Sequence, residues 1–199
     1  MENKKKRIIG VTGGVGAGKS CVLDILKNEF GAKVILADLV AHDLMEPGSE
    51  GLSAVTRALG GGFLTAEGAV DKKALADLIF HDPGALRTIN SIIHPMVWDV
   101  IIREAGEASE DLIVVEAAVF DTAPKDFFTE IWYVYASKET RILRLQESRG
   151  YSREKCESMM AKQDSEEKYR ERSSLVLNND GTKEEARARI KEILGHEIC

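Results

Sequence analysis

Gly10-Val-Thr-Gly-Gly-Val-Gly-Ala-Gly-Lys-Ser20 decides how the rest of the chain is read. Residues 13–20 spell G-x-x-x-x-G-K-S, the pattern of a phosphate-binding loop. The apolar run Ile8-Ile9-Gly10-Val11 in front of it predicts a buried strand. Behind it, Val22, Leu23, Ile25, Leu26 and Phe30 recur at the three- and four-residue spacings of a helix with one packed face. Strand, loop and helix are the context in which such a loop works. Glycines at 13, 14, 16 and 18 predict positive φ and a close approach of the backbone to an anion, with N–H groups and a helix N-terminus aimed at phosphate oxygens. Lys19 adds a mobile charge for the β- and γ-phosphates. Ser20 offers a hydroxyl to Mg²⁺, a cation that keeps most of its waters and takes other ligands from phosphates. The expected contacts to a nucleoside triphosphate are Gly13, Gly14, Gly16, Ala17, Gly18, Lys19, Ser20 and Cys21.

A chain of 199 residues with 44% hydrophobic composition suffices for one well-buried core and is short for two ordinary domains. No apolar run reaches the length of a membrane span, and Met1-Glu-Asn-Lys-Lys-Lys-Arg7 runs straight into the first strand without a signal-peptide core. A soluble, cytoplasmic protein is expected. Cys21, Cys156 and Cys199 form no C-x-x-C pair, and His42, His81, His94 and His196 show no metal-ligand spacing, so neither a disulfide nor a zinc site is predicted. A net charge of −6 argues against broad nucleic-acid binding, which needs a basic surface, and the tetrad from Lys4 to Arg7 reads as a solvated terminus.

Further along, Gly31 closes the first helix and Ala32-Lys-Val-Ile-Leu-Ala37 predicts a second strand. Asp38 follows, where ligands gather in an open α/β sheet; it either faces the transferring phosphate or caps the next helix. Glu46-Pro-Gly-Ser49 is a turn. Beyond it a helical insertion is expected, with Asp71 and Asp82 as N-caps and Pro95 bending or interrupting the last helix. His94 beside it reads as a helix-break residue rather than a ligand. Asp111-Leu-Ile-Val-Val-Glu-Ala-Ala-Val-Phe120 contains the next buried strand. Glu116 at its end either orients water on magnesium or is a solvated carboxylate. Ile131-Trp-Tyr-Val-Tyr-Ala136 is a fourth strand, and Ser137 caps a charged helical stretch broken at Gly150 and restarted at Ser152. Arg141, Arg144, Arg149 and Arg153 around that break suit a lid that closes over a triphosphate, excludes water and stabilises charge. Leu175-Val-Leu177 is the last strand, and Thr182 with Glu185 forms a capping box for the last helix.

The fold class expected is α/β: a three-layer P-loop fold with a parallel sheet of about five strands, a helical acceptor-binding insertion and a helical lid. The core is expected to comprise residues 1–45, 110–137 and 173–199, the insertion 46–109 and the lid 138–172 of a single P-loop domain.

The residues together resemble the dephospho-coenzyme A kinases. The resemblance rests on Thr12-Gly-Gly-Val-Gly-Ala-Gly-Lys-Ser20, Ala37-Asp38 with Ala41, Glu46-Pro-Gly-Ser49, Asp71-Lys-Lys-Ala-Leu75 and Ile93-His-Pro95. It extends to Arg149-Gly-Tyr-Ser152, Ala161-Lys-Gln163 and Leu177-Asn-Asn-Asp-Gly181. It implies transfer of the ATP γ-phosphate to the ribose 3′-hydroxyl of dephospho-coenzyme A, the last step of coenzyme A biosynthesis, with Mg²⁺. It further implies Asp38 as general base, Lys19 and the loop on the phosphates, Arg149 in the lid meeting the triphosphate, and Asn179 near the adenine, with Arg144 also on the ATP. The partners expected are these two small molecules, with no nucleic acid and no membrane, in a monomer or small homo-oligomer. Leu36 and His42 stand where the family usually has Asp and Arg, and Glu116-Ala-Ala-Val119 stands where it has Asp-x-Pro-Leu. Another small-molecule or nucleotide P-loop kinase is the alternative. A GTP-dependent switch would need an Asn-Lys-x-Asp stretch and an Asp-x-x-Gly after the third strand, and the sequence has neither there.

Overall fold

The computed structural model describes residues 6–118 and 120–195. His196, Cys199, Val119 and the lysines at 4 and 5 of the basic tetrad lie outside the described residues. The strands are β1 (Arg7–Thr12), β2 (Lys33–Leu36), β3 (Leu112–Glu116), β4 (Glu130–Tyr135) and β5 (Leu175–Asn178). The helices are α1 (Lys19–Phe30), α2 (Ala37–Asp43), α3 (Glu50–Leu59), α4 (Lys72–His81), α5 (Pro83–Glu107), α6 (Lys138–Arg149), α7 (Arg153–Met160), α8 (Glu166–Glu171) and α9 (Lys183–Gly195). The chain divides into two compact units, one built from residues 1–35, 108–120 and 125–199, the other from Leu36–Glu107 and Asp121–Pro124.

The first unit carries the sheet, in the order β2-β3-β1-β4-β5. β1 lies at its centre, parallel to β3 on one side and β4 on the other, and β4 is parallel to β5. Strands buried on both faces must be apolar throughout, and Ile9, Val11, Val114, Trp132, Val134 and Leu177 have no exposed surface. They form one core with Val22, Ile25 and Leu26 of α1 and Ala186, Ile190 and Leu194 of α9. Each large side chain buried this way contributes about 1.5–3 kcal/mol. A smaller cluster joins Ile142, Leu145 and Cys156 of α6 and α7, with Val15 packed against it.

The helix ends follow the local chemistry. Gly31 closes α1 in the left-handed conformation (φ 66°) that lets its N–H reach Leu26 O. Ser137 and Ser152 cap α6 and α7 as expected. The Thr182–Glu185 capping box forms in both directions, at 2.9 and 3.2 Å. The charged stretch breaks a second time, which the sequence reading missed: α7 stops at Met160 and Ser165 caps a third short helix, α8.

In the second unit α5 is the spine, and α2, α3 and α4 each pack against it. It buries Ala85, Ile93, Val97, Trp98, Ile101 and Ala105, and the Trp98 indole N–H donates to Thr122 Oγ1 at 3.0 Å. Asp71 and Asp82 accept from the first-turn amides of α4 and α5, and Pro83 begins α5. Of the bend or interruption expected at Pro95, the interruption does not occur: α5 runs for 25 residues with Pro95 inside it. The tertiary packing of Ile93, Val97 and Trp98 around that point outweighs the one lost backbone hydrogen bond. The second strand is also shorter than expected, because Ala37 belongs to α2 rather than β2.

Candidate active site

β1 ends at Thr12, and the chain crosses residues 13–18 before α1 begins at Lys19. Thr12, almost fully buried, donates through its hydroxyl to Ala118 O at 3.0 Å and so ties the loop's entry to the segment after β3. Gly18 is the N-cap of α1 at φ 87°, a left-handed conformation that glycine adopts without steric cost. Gly14 does not have the expected positive φ. Its reason is space: a side chain there would run into the Arg141 guanidinium.

Lys19 donates to Gly13 O at 2.8 Å and stands 3.5 Å from Glu116 Oε1 at the end of β3. Its charge is held over the loop by a carbonyl and a carboxylate. Of the two readings of Glu116, this favours a carboxylate that belongs to the site. Ser20, the second residue of α1, is exposed. An exposed hydroxyl and a carboxylate next to the lysine are hard oxygen donors of the kind Mg²⁺ accepts, so these residues fit that cation.

Two arginines of α6 brace the loop from outside. Arg141 Nε donates to Val15 O at 2.8 Å, and its Nη2 to Gln163 Oε1 at 2.8 Å. Arg144 donates to Asn179 O at 2.8 Å and to Ala17 O and Gly181 O at 3.3 Å. Asn179 is itself buried and sends its side-chain N–H to Ala17 O at 2.8 Å. Cys21 follows in the first turn of α1, half-buried. The sequence reading placed Arg144 and Asn179 on the nucleotide; the structure has both touching the loop that would grip it. Arg141 was expected as one of four lid arginines rather than as a brace of the loop, and Gln163 was missed as a site residue. The spacing of Arg141 and Arg144 on one face of α6 was the available signal.

The other lid arginines go elsewhere. Arg149 is exposed at the end of α6, with its guanidinium 5.9 Å from the Tyr151 ring centre. Arg153 pairs with Glu139 at 2.6 and 2.9 Å. Beyond β5, Asp180 accepts from the Ser137 amide at 2.8 Å. Desolvation pushes the Asp180 carboxyl up, but hydrogen bonds from Ser137 and Thr140 and the nearby Arg144 outweigh it and hold it below the usual carboxylate range. Tyr133 stacks on Tyr169 at 5.0 Å with 8° between the rings. Burial, reinforced by Glu166, pushes the Tyr133 phenol up to about 12.

Asp38 lies in the second unit, in the first turn of α2, and is exposed. Its alternative as an N-cap falls away, because the helix already begins at Ala37 and Leu36 holds the cap position without a side-chain bond. His42 on the same helix contacts Glu46 Oε1 at 3.3 Å. Pro95, His94, Asn90 and Trp98 line a groove of about 480 Å³ along α5.

The family model for dephospho-CoA kinase matches residues 7–185. A curated dephospho-CoA kinase from Geobacter sulfurreducens is 35% identical over 190 residues, covering 94% of this chain and 96% of its own. Among solved structures, that of TT1252 from Thermus thermophilus superposes with a TM-score of 0.79 at 29% identity, over 98% of this chain and 100% of the other. The dephospho-CoA kinase from Campylobacter jejuni superposes with a TM-score of 0.60 at 21% identity, over 96% and 97%, and shares the fold. With its phosphate loop on the central strand of a parallel sheet, the chain belongs to the dephospho-CoA kinase family.

Proposed function

We propose that Asp38, Lys19 and Arg149 carry the transfer in this kinase, with Mg²⁺ held through Ser20. The activity is that of the family: an ATP-dependent phosphotransferase that moves the γ-phosphate onto the 3′-hydroxyl of dephospho-CoA, giving CoA and ADP. The observation that carries the assignment of roles is Lys19, poised between Gly13 O and Glu116 at the mouth of the loop, where an incoming phosphate exchanges for the carbonyl.

In this reading the loop amides and Lys19 bind the β- and γ-phosphates and stabilise the charge that spreads over the equatorial oxygens in a loose transition state. Mg²⁺, when bound, neutralises charge on the β- and γ-oxygens. Asp38 accepts the proton of the 3′-hydroxyl. A carboxylate is a weak base for an alcohol, but proton removal comes late in such a transition state, so orienting the hydroxyl is its larger contribution. Arg149 closes with the lid onto the triphosphate, and the turn at residues 178–181 lies by the adenine. The helices of the 46–109 insertion take the acceptor. No described helix is long and apolar enough to cross a membrane.

Incubation with Mg²⁺ and ATP tests the reading, comparing ADP release with dephospho-CoA, AMP, UMP or no acceptor. Fast release is expected only with dephospho-CoA; equal rates with all four overturn it. Asp38→Asn should bind ATP as the parent does and lose about 10²–10⁴-fold in turnover. Turnover within a factor of three of the parent would remove Asp38 from the mechanism.

A further inference from the structure

Gln163 occurs in the Ala161-Lys-Gln163 stretch, and nothing in the reaction as described uses it. Its side-chain oxygen accepts two hydrogen bonds, from the Val15 amide at 3.0 Å and from Arg141 Nη2 at 2.8 Å. Both partners are donors, which fixes the orientation of the amide: the oxygen faces the loop. Arg141 closes the ring by donating Nε to Val15 O at 2.8 Å. Both polar groups of one residue at the loop's tip are thus held by side chains, one from α6 and one from the connection between α7 and α8. The Val15 side chain packs on the cluster of Ile142, Leu145 and Cys156, which fixes the third direction.

We infer that Gln163 is a positioning residue for the phosphate loop, acting through the Val15 peptide and together with Arg141. The inference rests on the reading that this loop grips the nucleotide's phosphates. The Val15 N–H is turned outward onto Gln163, so it is not one of the donors facing the anion. Holding it there sets the direction of the neighbouring amides. The Ala17 N–H is likewise occupied, by Gly14 O at 3.1 Å, so the loop's shape is held from both inside and outside. Pinning the loop before the ligand arrives lowers the ordering cost of binding, which is how preorganisation raises affinity. Because the loop meets phosphates common to both nucleotides, the effect is the same for ATP and ADP. An arginine acting on the γ-phosphate alone would discriminate between them.

The test replaces Gln163 by Met, which keeps the length and removes the acceptor, and by Glu, which keeps an acceptor oxygen. Dissociation constants for ATP and ADP are measured by calorimetry, alongside hydrogen exchange of the peptide covering residues 13–18 without nucleotide. Gln163→Met should weaken ATP and ADP equally, by about tenfold, and speed exchange of the loop peptide while peptides from β1, β3 and β4 exchange as in the parent. Gln163→Glu should keep the loop's protection. ATP and ADP binding in Gln163→Met within a factor of two of the parent overturns the inference. So does weakening confined to ATP, or faster exchange spread across the sheet, which would make Gln163 a general stability residue. Failure of the parent protein to bind ATP would instead strike the reading of the loop itself.

Discussion

Replacing Gly18 by Ala tests the claim that the phosphate loop and the turn after β5 are one interlocked device. Two separate costs can be worked out. The residue sits at φ 87°, and a left-handed conformation costs an alanine about 1–2 kcal/mol. The new methyl also falls on the Asn179 side-chain nitrogen and within 3.2 Å of Arg144 Nη1. Asn179 is buried and bonded to Ala17 O at 2.8 Å, so displacing it breaks a buried hydrogen bond worth about 1–3 kcal/mol, counting the carbonyl left short of a partner. The total is about 2–5 kcal/mol. Asn179→Ala alone should cost the second amount only. In the double variant the obstruction is already gone, so Gly18→Ala there should cost only the backbone strain, and the two substitutions should be less than additive by about 1–3 kcal/mol. Urea unfolding of the nucleotide-free protein measures this cycle. Carrying it out in a Trp98→Phe background leaves the buried Trp132 as sole reporter on the sheet. Costs that add to within about 0.5 kcal/mol would refute the interlock, since independent sites add to that precision.

Asp180→Asn should destabilise the protein at neutral pH. The Asp180 carboxyl is held below its ordinary 3.8, so its contribution is present above that value and lost as pH falls through the folded-state pKa. Unfolding curves for parent and variant should therefore converge as pH drops below about 3.8; a gap that persists in acid would deny the linkage. Tyr133, raised to about 12 chiefly by burial, is favoured in its neutral form by the fold, so its contribution is full below 10 and lost as pH climbs toward 12. Ultraviolet titration of phenolate, with Tyr133→Phe as the control, should show one group ionising near 12, and a Tyr133 that titrates near 10 would contradict its burial.

The sequence made the sheet legible because its strands are short apolar runs with glycine or capping residues at their ends, and because the phosphate loop fixes which strand begins the pattern. Caps were equally readable: Asp71, Asp82, Ser137 and Ser152 act through their own nearest amides, a local chemistry that distant packing does not override. Pro95 is the opposite case. Its local signal said bend or interrupt, but the burial of Ile93, Val97 and Trp98 in a helix packed by α2, α3 and α4 comes from partners elsewhere along the chain, which spacing within α5 cannot reveal. Asp38 shows a boundary shifted by one or two residues changing a chemical reading, since a helix that starts at Ala37 leaves the carboxylate in the first turn and free of capping. The bracing of the loop was illegible for a third reason. Val15 and Gln163 are 148 residues apart, and Ala17 and Asn179 are 162 apart, so no window along the chain contains both halves of either contact.

That separation bears on how the protein is made. β1 leaves the ribosome before the four strands it joins, yet it ends in the middle of the sheet, and both of its neighbours are translated some hundred residues later. Partners so remote close large entropic loops, which makes such sheets slow to assemble. The groups that shape the nucleotide's cradle arrive later still, at positions 163 and 179. ATP therefore cannot act as an early template for the nascent chain; tight nucleotide capture waits until residue 179 has been made.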